Sequence, residues 1–406
     1  MIKDILKYSL SNLWNRKLRS FLTMLSILIG ITAIFALISF GQGLNSWIDG
    51  FAQEMGTDKV FIMPGGGLSN APGTSNIKFN EEDLDFIRKI KGVDEATAMM
   101  AISGKVGYKD YRDVYPFIIG LSTESNEMRL IEEMFGGIGI MEGRGLKKGD
   151  VLKATAGYSY TVPNRLFKRE LSIGSKVAIN DVEVEIVGFY EEVGSPTDDA
   201  QLYLSQEGFE EIFDIEEFEY IYMRVAPGED PSMIADRIKE KFRKYKGQKE
   251  GEEDFTVQTF EDILETFTSI LLVLNGVLVI IALISVVVAA VNIMNTMYTS
   301  ILERTKEIGV MKSIGARNEF ILLVFVTESG VLGFLGGLIG VILGAGFAKI
   351  GGMAASAFGL TMIQPDFPCW LIAGCLIFAF LVGSLSGLIP AIQASKLNPV
   401  DALRYE

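Results

Sequence analysis

The stretch SILERTKEIGVMKSIGA, Ser300 to Ala316, decides how this chain is read. It is a short charged segment between two long apolar runs, and so a polar connection at a membrane surface. Its own pattern is helical. Ile301, Thr305, Ile308 and Met311 recur at i, i+4, i+7 and i+10, one face of a helix. Glu303, Arg304, Lys306, Glu307 and Lys312 surround that face. Gly315 follows Ile314, where a helix takes its left-handed cap. Periodicity alone supports a solvated helix joining two spans.

Outward from this stretch the chain alternates between lipid-like and soluble composition. Residues 267–297 carry no charge and read as the second span. With Phe260 to Glu265 before them they form one long helix, along which Gly276, Ala282, Ser285, Ala289 and Asn292 let another helix approach. Residues 320–348 are the third span, with Gly336, Gly340 and Gly344 as a repeated G-x-x-x-G, a spacing suited to tight helix packing. Residues 349–368 are an outer loop and 369–392 the fourth span. Residues 21–43 are long enough to be the first span, too long for the apolar run of a cleaved signal. Before them, 1–20 is basic and amphipathic, an elbow helix lying in the membrane interface.

Net charge is −14, but it is unevenly spread. The block 44–266 holds 43 of the 51 acidic residues and only 25 of the 37 basic ones. An acidic soluble block argues against nucleic acid, whose binding needs bases to neutralise phosphates. There is no histidine, which removes histidine general bases and the commonest metal ligand. Cys369 and Cys375 lie six apart on one helix, point to different sides, and read as packing residues. No G-x-x-x-x-G-K-[ST] occurs, and the glycine-rich 65–76 reads as a flexible loop.

Within 44–266, strands and helices alternate in an α+β pattern. Strands are expected at 60–63, 115–121, 201–204, 220–225 and 255–258, and a hairpin at 176–190 turning on Asn180-Asp181. Helices are expected at 80–91, 125–135, 206–213 and 231–244. Acid runs such as Glu81-Glu82-Asp83, Asp198-Asp199 and Glu250 to Asp254 read as solvated faces rather than catalytic pairs.

Two further sites stand out in the membrane part. Glu328 is an ionisable residue about two turns inside the third span. A carboxylate there is costly unless paired, so it is either a functional acid or a structural hydrogen bond to a neighbouring helix or to the connecting stretch. The tail 393–406 begins beyond Pro390, which kinks the end of the fourth span. Asn398 caps, and Pro399 opens, a second short helix.

The segment E-R-T-K-E-I-G-V-M-K-S-I-G-A, Glu303 to Ala316, resembles the loop by which MacB/FtsX-type permeases, the mechanotransmission class of ABC transporters, dock on a cytoplasmic ATPase. L-R-S-F-L-T-M-L-S-I-L-I-G-I resembles that family's elbow and first span, and V-T-E-S-G its intramembrane acid. Pro390-Ala391 with Ala394, then Pro399 with Ala402-Leu403-Arg404, is similar to its C-terminal signature. The resemblance covers essentially the whole chain. It implies a membrane protein of four transmembrane α-helices with an amphipathic N-terminal elbow, and a large α+β extracytoplasmic domain inserted between the first and second spans. It implies that Glu303, Arg304, Thr305, Lys306, Glu307, Ile308, Gly309, Met311, Ile314, Gly315 and Ala316, in the loop 298–319, couple to an ATPase. With no phosphate loop, the chain is similar to the split form in which the ATPase is a separate chain that binds ATP and Mg; this chain holds no cofactor and is not itself an enzyme.

The same resemblance implies a second permease copy, surrounding lipid, and an extracytoplasmic adaptor or target as partners. The basic residues cluster in the amino end, the 298–319 loop and the tail, and none lies in 351–368. The positive-inside rule then places both termini in the cytoplasm and the acidic block outside. The function so implied is ATP-driven movement of the outer domain in export of an antibiotic, peptide or lipoprotein. The alternative is a non-transporting member of the family that signals to an external partner such as a cell-wall hydrolase. In the loop, Ile308 and Met311 are expected to be the apolar anchors, with Glu303, Arg304, Lys306 and Glu307 as a polar rim.

Overall fold

The computed structural model describes residues 17–65, 75, 77–135, 137–361 and 364–404. The elbow expected over 1–20 lies outside these residues, apart from its last four, which begin a long helix. The described chain divides into a membrane unit and an inserted domain.

The membrane unit is 1–44, 270–354 and 363–406, and the inserted domain is 45–269 with 355–362, so the end of α1 and the start of α6 belong to the domain. The long and connecting helices are α1 (Lys17–Met55), α6 (Phe260–Glu303), α7 (Thr305–Ser313), α8 (Asn318–Ala357), α9 (Cys369–Ser395) and α10 (Pro399–Arg404). Among the described residues four segments are long and apolar enough to cross a bilayer: Met24–Gly50, Phe260–Glu303, Asn318–Ala357 and Cys369–Ser395. Helix α8 is held between α1 and α9 by two glycine stripes. A Cβ at Gly336, Gly340 or Gly344 would come 3.0–3.1 Å from the carbonyl oxygens of Met24, Leu28 and Thr32 respectively, so the G-x-x-x-G face is where α1 lies. Thr32 Oγ1 donates to the Gly340 carbonyl at 3.0 Å across this seam. On the other side Gly333 meets Gly383 and Ala379 of α9 with no room for a side chain. Close backbone approach gives the dispersion contact that holds helices together where lipid removes the hydrophobic drive.

Helix α6 packs more sparsely. Asn292 donates to Ser26 Oγ at 2.8 Å, Ala289 is buried, and Ser285 lies beside Gly30. Gly276 meets nothing, and many of the helix's apolar side chains, including Leu272, Ile280 and Ile284, are exposed. Of the two cysteines, Cys375 is buried, but Cys369 is exposed at the start of α9 and packs against nothing that would hide it.

The inserted domain carries β1 (Lys59–Pro64), α2 (Glu81–Arg88), β2 (Val93–Ser103), β3 (Val106–Gly107), β4 (Phe117–Leu121), α3 (Ser125–Met134), β5 (Ile140–Gly143), β6 (Lys153–Ala156), β7 (Lys176–Ile179), β8 (Val182–Tyr190), β9 (Leu202–Ser205), α4 (Gln206–Phe213), β10 (Tyr220–Val225), α5 (Pro231–Tyr245) and β11 (Phe255–Thr259). The strands form one sheet in the order β11-β1-β10-β2-β4-β9-β6-β8-β7-β3, with β5 beside β8. Strands from both ends of the domain thus make one half, and those between them the other. Asn80 opens α2 with a complete capping box to Asp83. The β7–β8 hairpin turns on Asn180 and Asp181, both at positive φ, the two-residue turn whose twist matches the strands.

One face of the sheet packs under α2, α4 and α5, around Ile62, Met100, Ile118, Leu204, Ile221 and Phe242. Among the described residues the other face carries α3 and the ends of α1 and α6, around Phe61, Met63, Met99, Ile119 and Tyr203. The acid runs are part of this scaffold. Asp83 caps α2 and pairs with Lys246 at 2.7 Å; Asp199 accepts from the Val193 and Gly194 amides; Glu253 pairs with Arg243 at 3.2 Å.

Candidate functional site

The stretch expected to couple, Glu303 to Ala316, folds around α7, and α7 is not a free helix. The α6 helix runs on to Glu303, and the chain breaks helical geometry only at Arg304, with φ −111° and ψ 16°. That break turns the Arg304 side chain inward. Arg304 Nη1 reaches Glu328 of α8 at 3.0 Å, and Arg304 Nε reaches Glu307 at 3.1 Å. Arg304 is 7% and Glu328 5% exposed. The guanidinium also lies over the Phe325 ring. A carboxylate more than two turns inside a helix is here neutralised by the residue at the break between α6 and α7.

The far end of α7 is fixed in two ways. The Ala316 and Gly315 amides donate to the Met311 and Lys312 carbonyls, each at 3.0 Å, a Schellman closure with Gly315 at φ +98°. Lys312 Nζ donates to the Leu397 carbonyl at 2.7 Å, just past the end of α9. Helix α10 packs on α7, with Ala402 buried. Pro390, Ala391 and Ala394 are buried in α9, and Pro399 is half-buried. The side chains of Leu403 and Arg404 lie outside what is described. The coupling stretch and the tail signature therefore form one cluster at one end of the membrane unit.

This packing corrects the expected anchors. Ile308 is 0% exposed and belongs to the membrane unit's own core, with Ile301, Thr305 and Gly309 also buried and Met311 half-buried. The apolar stripe of the 3.6-residue pattern faces this chain's helices, because the start of α8 and the end of α9 cover it. Arg304 is likewise no rim residue. The surface that remains holds Val310, 51% exposed, and Ile314, 81% exposed, one turn apart and roughly opposite Ile308. Glu303, Lys306 and Glu307 are exposed around them, and Ala316 is half-buried. Val310 and Ile314 were visible in the sequence as an i, i+4 apolar pair. Spacing alone does not say which of two stripes meets the core.

Family models complete the assignment. The FtsX-like permease C-terminal model matches residues 279–399, and the MacB-like periplasmic core domain model matches 20–241, over half of the chain. The chain belongs to the MacB/FtsX-type family of ABC transporter permeases. An uncharacterized ABC transporter permease of Methanocaldococcus jannaschii is 34% identical over 408 residues, 100% of this chain and 98% of the relative. The uncharacterized ABC transporter permease YknZ of Bacillus subtilis is 28% identical over 99% of this chain and 98% of that protein. The macrolide export ATP-binding/permease protein MacB of Bdellovibrio bacteriovorus is 30% identical over 96% of this chain, which spans 60% of the relative's length. Among solved structures, the periplasmic region of MacB from Actinobacillus actinomycetemcomitans aligns with a TM-score of 0.43 at 16% identity, over 53% of this chain and 95% of that one.

Proposed function

We propose that this permease couples ATP hydrolysis by a separate cytoplasmic ATPase, which binds ATP and Mg, to movement of its inserted domain in export across the cell membrane. The reading includes cytoplasmic termini, an external inserted domain and a second permease copy. What carries it is the two-sided build of α7. One face is locked to α8, α9 and α10 through Ile308, the Arg304–Glu328 pair and the Lys312–Leu397 bond. The other presents Val310 and Ile314 inside a rim of Glu303, Lys306 and Glu307. A helix fixed on one side and apolar on the other passes force from a docked partner into the spans instead of deflecting. A separate ATPase is favoured by the relatives of matching length that are named as permeases alone. The exported class in this reading, an antibiotic, peptide or lipoprotein, rests on the resemblance to the family and not on α7.

The test is co-purification with the cognate ATPase, together with ATP turnover of the complex. Ile314→Asp and Val310→Asp are expected to lose both, since a carboxylate buried without a partner costs several kcal/mol, roughly 2–7 for a polar group alone. Lys306→Ala, a rim change worth under about 1 kcal/mol, should keep them. Wild-type binding and turnover in Ile314→Asp would return α7 to being a linker.

A further inference from the structure

The sheet face opposite α2, α4 and α5 is wider than its cover. Helix α3 and the ends of α1 and α6 leave a cavity of about 360 Å³ between them, wholly inside the inserted domain. Small-molecule sites start at about this size. The walls are Phe61, Met63, Met99, Tyr203, Tyr220 and Tyr222 from the sheet. Met134 of α3, Met55 at the end of α1, and Phe260 and Ile263 at the start of α6 close the rest. Rings and thioethers dominate, surfaces that adapt to a ligand's shape, and the ring faces favour positive charge.

The polar end of the cavity has a single sign. Glu191, Asp198 and Asp199 line it, and among the described residues no Lys or Arg does. Asp199 is buried and spends its oxygens on the Val193 and Gly194 amides, holding the loop. Asp198 and Glu191 are more open; Asp198 Oδ1 accepts from Gln201 Nε2 at 2.9 Å, which in turn is bonded through Oε1 to the Tyr203 hydroxyl at 2.9 Å. Arg165, the base that acts on Asp199, is paired with Glu192 and stacked over Tyr158, outside the lining. Burial pushes the phenols of Tyr203, Tyr220 and Tyr222 upward, Tyr220 to about 12, so the rings stay neutral.

We propose that this cavity binds a compact organic cation with an apolar body, its charge facing Asp198 and Glu191 and its body against Phe61, Tyr220 and Tyr222. An anion would meet only carboxylates, and a neutral apolar ligand would leave them without a counter-charge. A ligand seated here touches the last residue of α1, the first turn of α6 and the sheet at once, so its binding bears on the two helices that enter the domain. The site goes beyond the coupling role and does not depend on it, because binding needs neither nucleotide nor ATPase.

The test uses the full chain in phosphatidylcholine nanodiscs without ATPase, titrated with benzyltrimethylammonium and read by saturation-transfer NMR against empty nanodiscs. Benzenesulfonate, similar in size and opposite in charge, is the comparison. Saturable binding of the cation and none of the anion is expected. Asp198→Asn, which keeps the acceptor for Gln201, should weaken binding about tenfold, and Tyr222→Ala should do so at least as much, with Tyr222→Phe close to wild type. Equal binding of the two ions, no saturable binding of the cation, or undiminished binding in Asp198→Asn would overturn the proposal. Should Tyr222→Ala fail to fold, Asp198→Asn decides alone. Loss of cation binding with intact ATPase coupling would sink this site and leave the proposed function standing, and the converse holds.

Discussion

Removing the charge of Glu328 should destabilise the membrane unit, and the loss should be repairable. Arg304 and Glu328 sit 3.0 Å apart, both almost fully buried. Their gross attraction is roughly 5 kcal/mol at an effective dielectric near 20, and much of it is offset by the cost of taking both from water. Breaking one side is worse than never having built the pair. Glu328→Gln takes the buried counter-charge away from the guanidinium, and Glu307, whose carboxylate is largely in solvent and screened, offsets little of that loss. The expected cost is about 3–5 kcal/mol, or roughly 10 °C in the unfolding midpoint of a unit this size. The double variant Arg304→Gln/Glu328→Gln removes both charges and leaves two amides able to bond each other, so it should recover to within about 1 kcal/mol of wild type. Thermal unfolding of the full chain in one detergent measures all four corners of this cycle. Well below the midpoint, ATP turnover of the assembled complex should stay near wild type. A wild-type midpoint for Glu328→Gln, with the double variant no better than either single one, would refute the reasoning. Collapsed turnover in an intact complex would instead make Glu328 part of the transmission itself.

Three further outcomes are expected. Gly340→Val should separate α1 from α8, since even a Cβ there would stand 3.0 Å from Ile31 Cβ and the Leu28 carbonyl, and overpacking costs about 1–3 kcal/mol; disulfide trapping between cysteines placed on the two helices reads it. In a background with Cys369 and Cys375 replaced, cysteines at Ser232 and Ser313, both exposed, should label oppositely with an impermeant reagent in intact cells: Ser232 from outside, Ser313 only after lysis. Ser122, buried in the domain, would report neither. Asp150 is held well below the usual carboxylate range, chiefly by its hydrogen bond from Arg144 and against its burial, with Lys153 and the Lys147 amide adding to it. A depressed folded value gives stability that is present above the unfolded value near 4 and lost as pH falls through the folded one. The inserted domain should therefore lose stability below about pH 4, and Asp150→Asn should start lower at neutral pH and fall less steeply in acid, as followed by its unfolding midpoint.

The sequence by itself determined the four apolar runs, the inserted α+β domain, the hairpin at Asn180-Asp181, the capping box at Asn80 and the family motifs. Each is local: twenty apolar residues, a turn dipeptide or a cap acts through its own chain neighbours. The long strand β2 escaped it. Val93–Ser103 is rich in alanine and methionine, weak strand formers, and its middle is buried on both faces, so no alternation marks it. The tertiary structure decided which of the two apolar stripes of α7 is buried. Ile308 and Val310 are equally hydrophobic neighbours on one short helix, and only the arrival of α8 and α9, from residues far along the chain, buries one and leaves the other in the open. The same holds for Arg304 and Glu328. Their charges are visible in the chain, but that one neutralises the other depends on a single non-helical residue at Arg304 and on the glycine-set spacing of the spans.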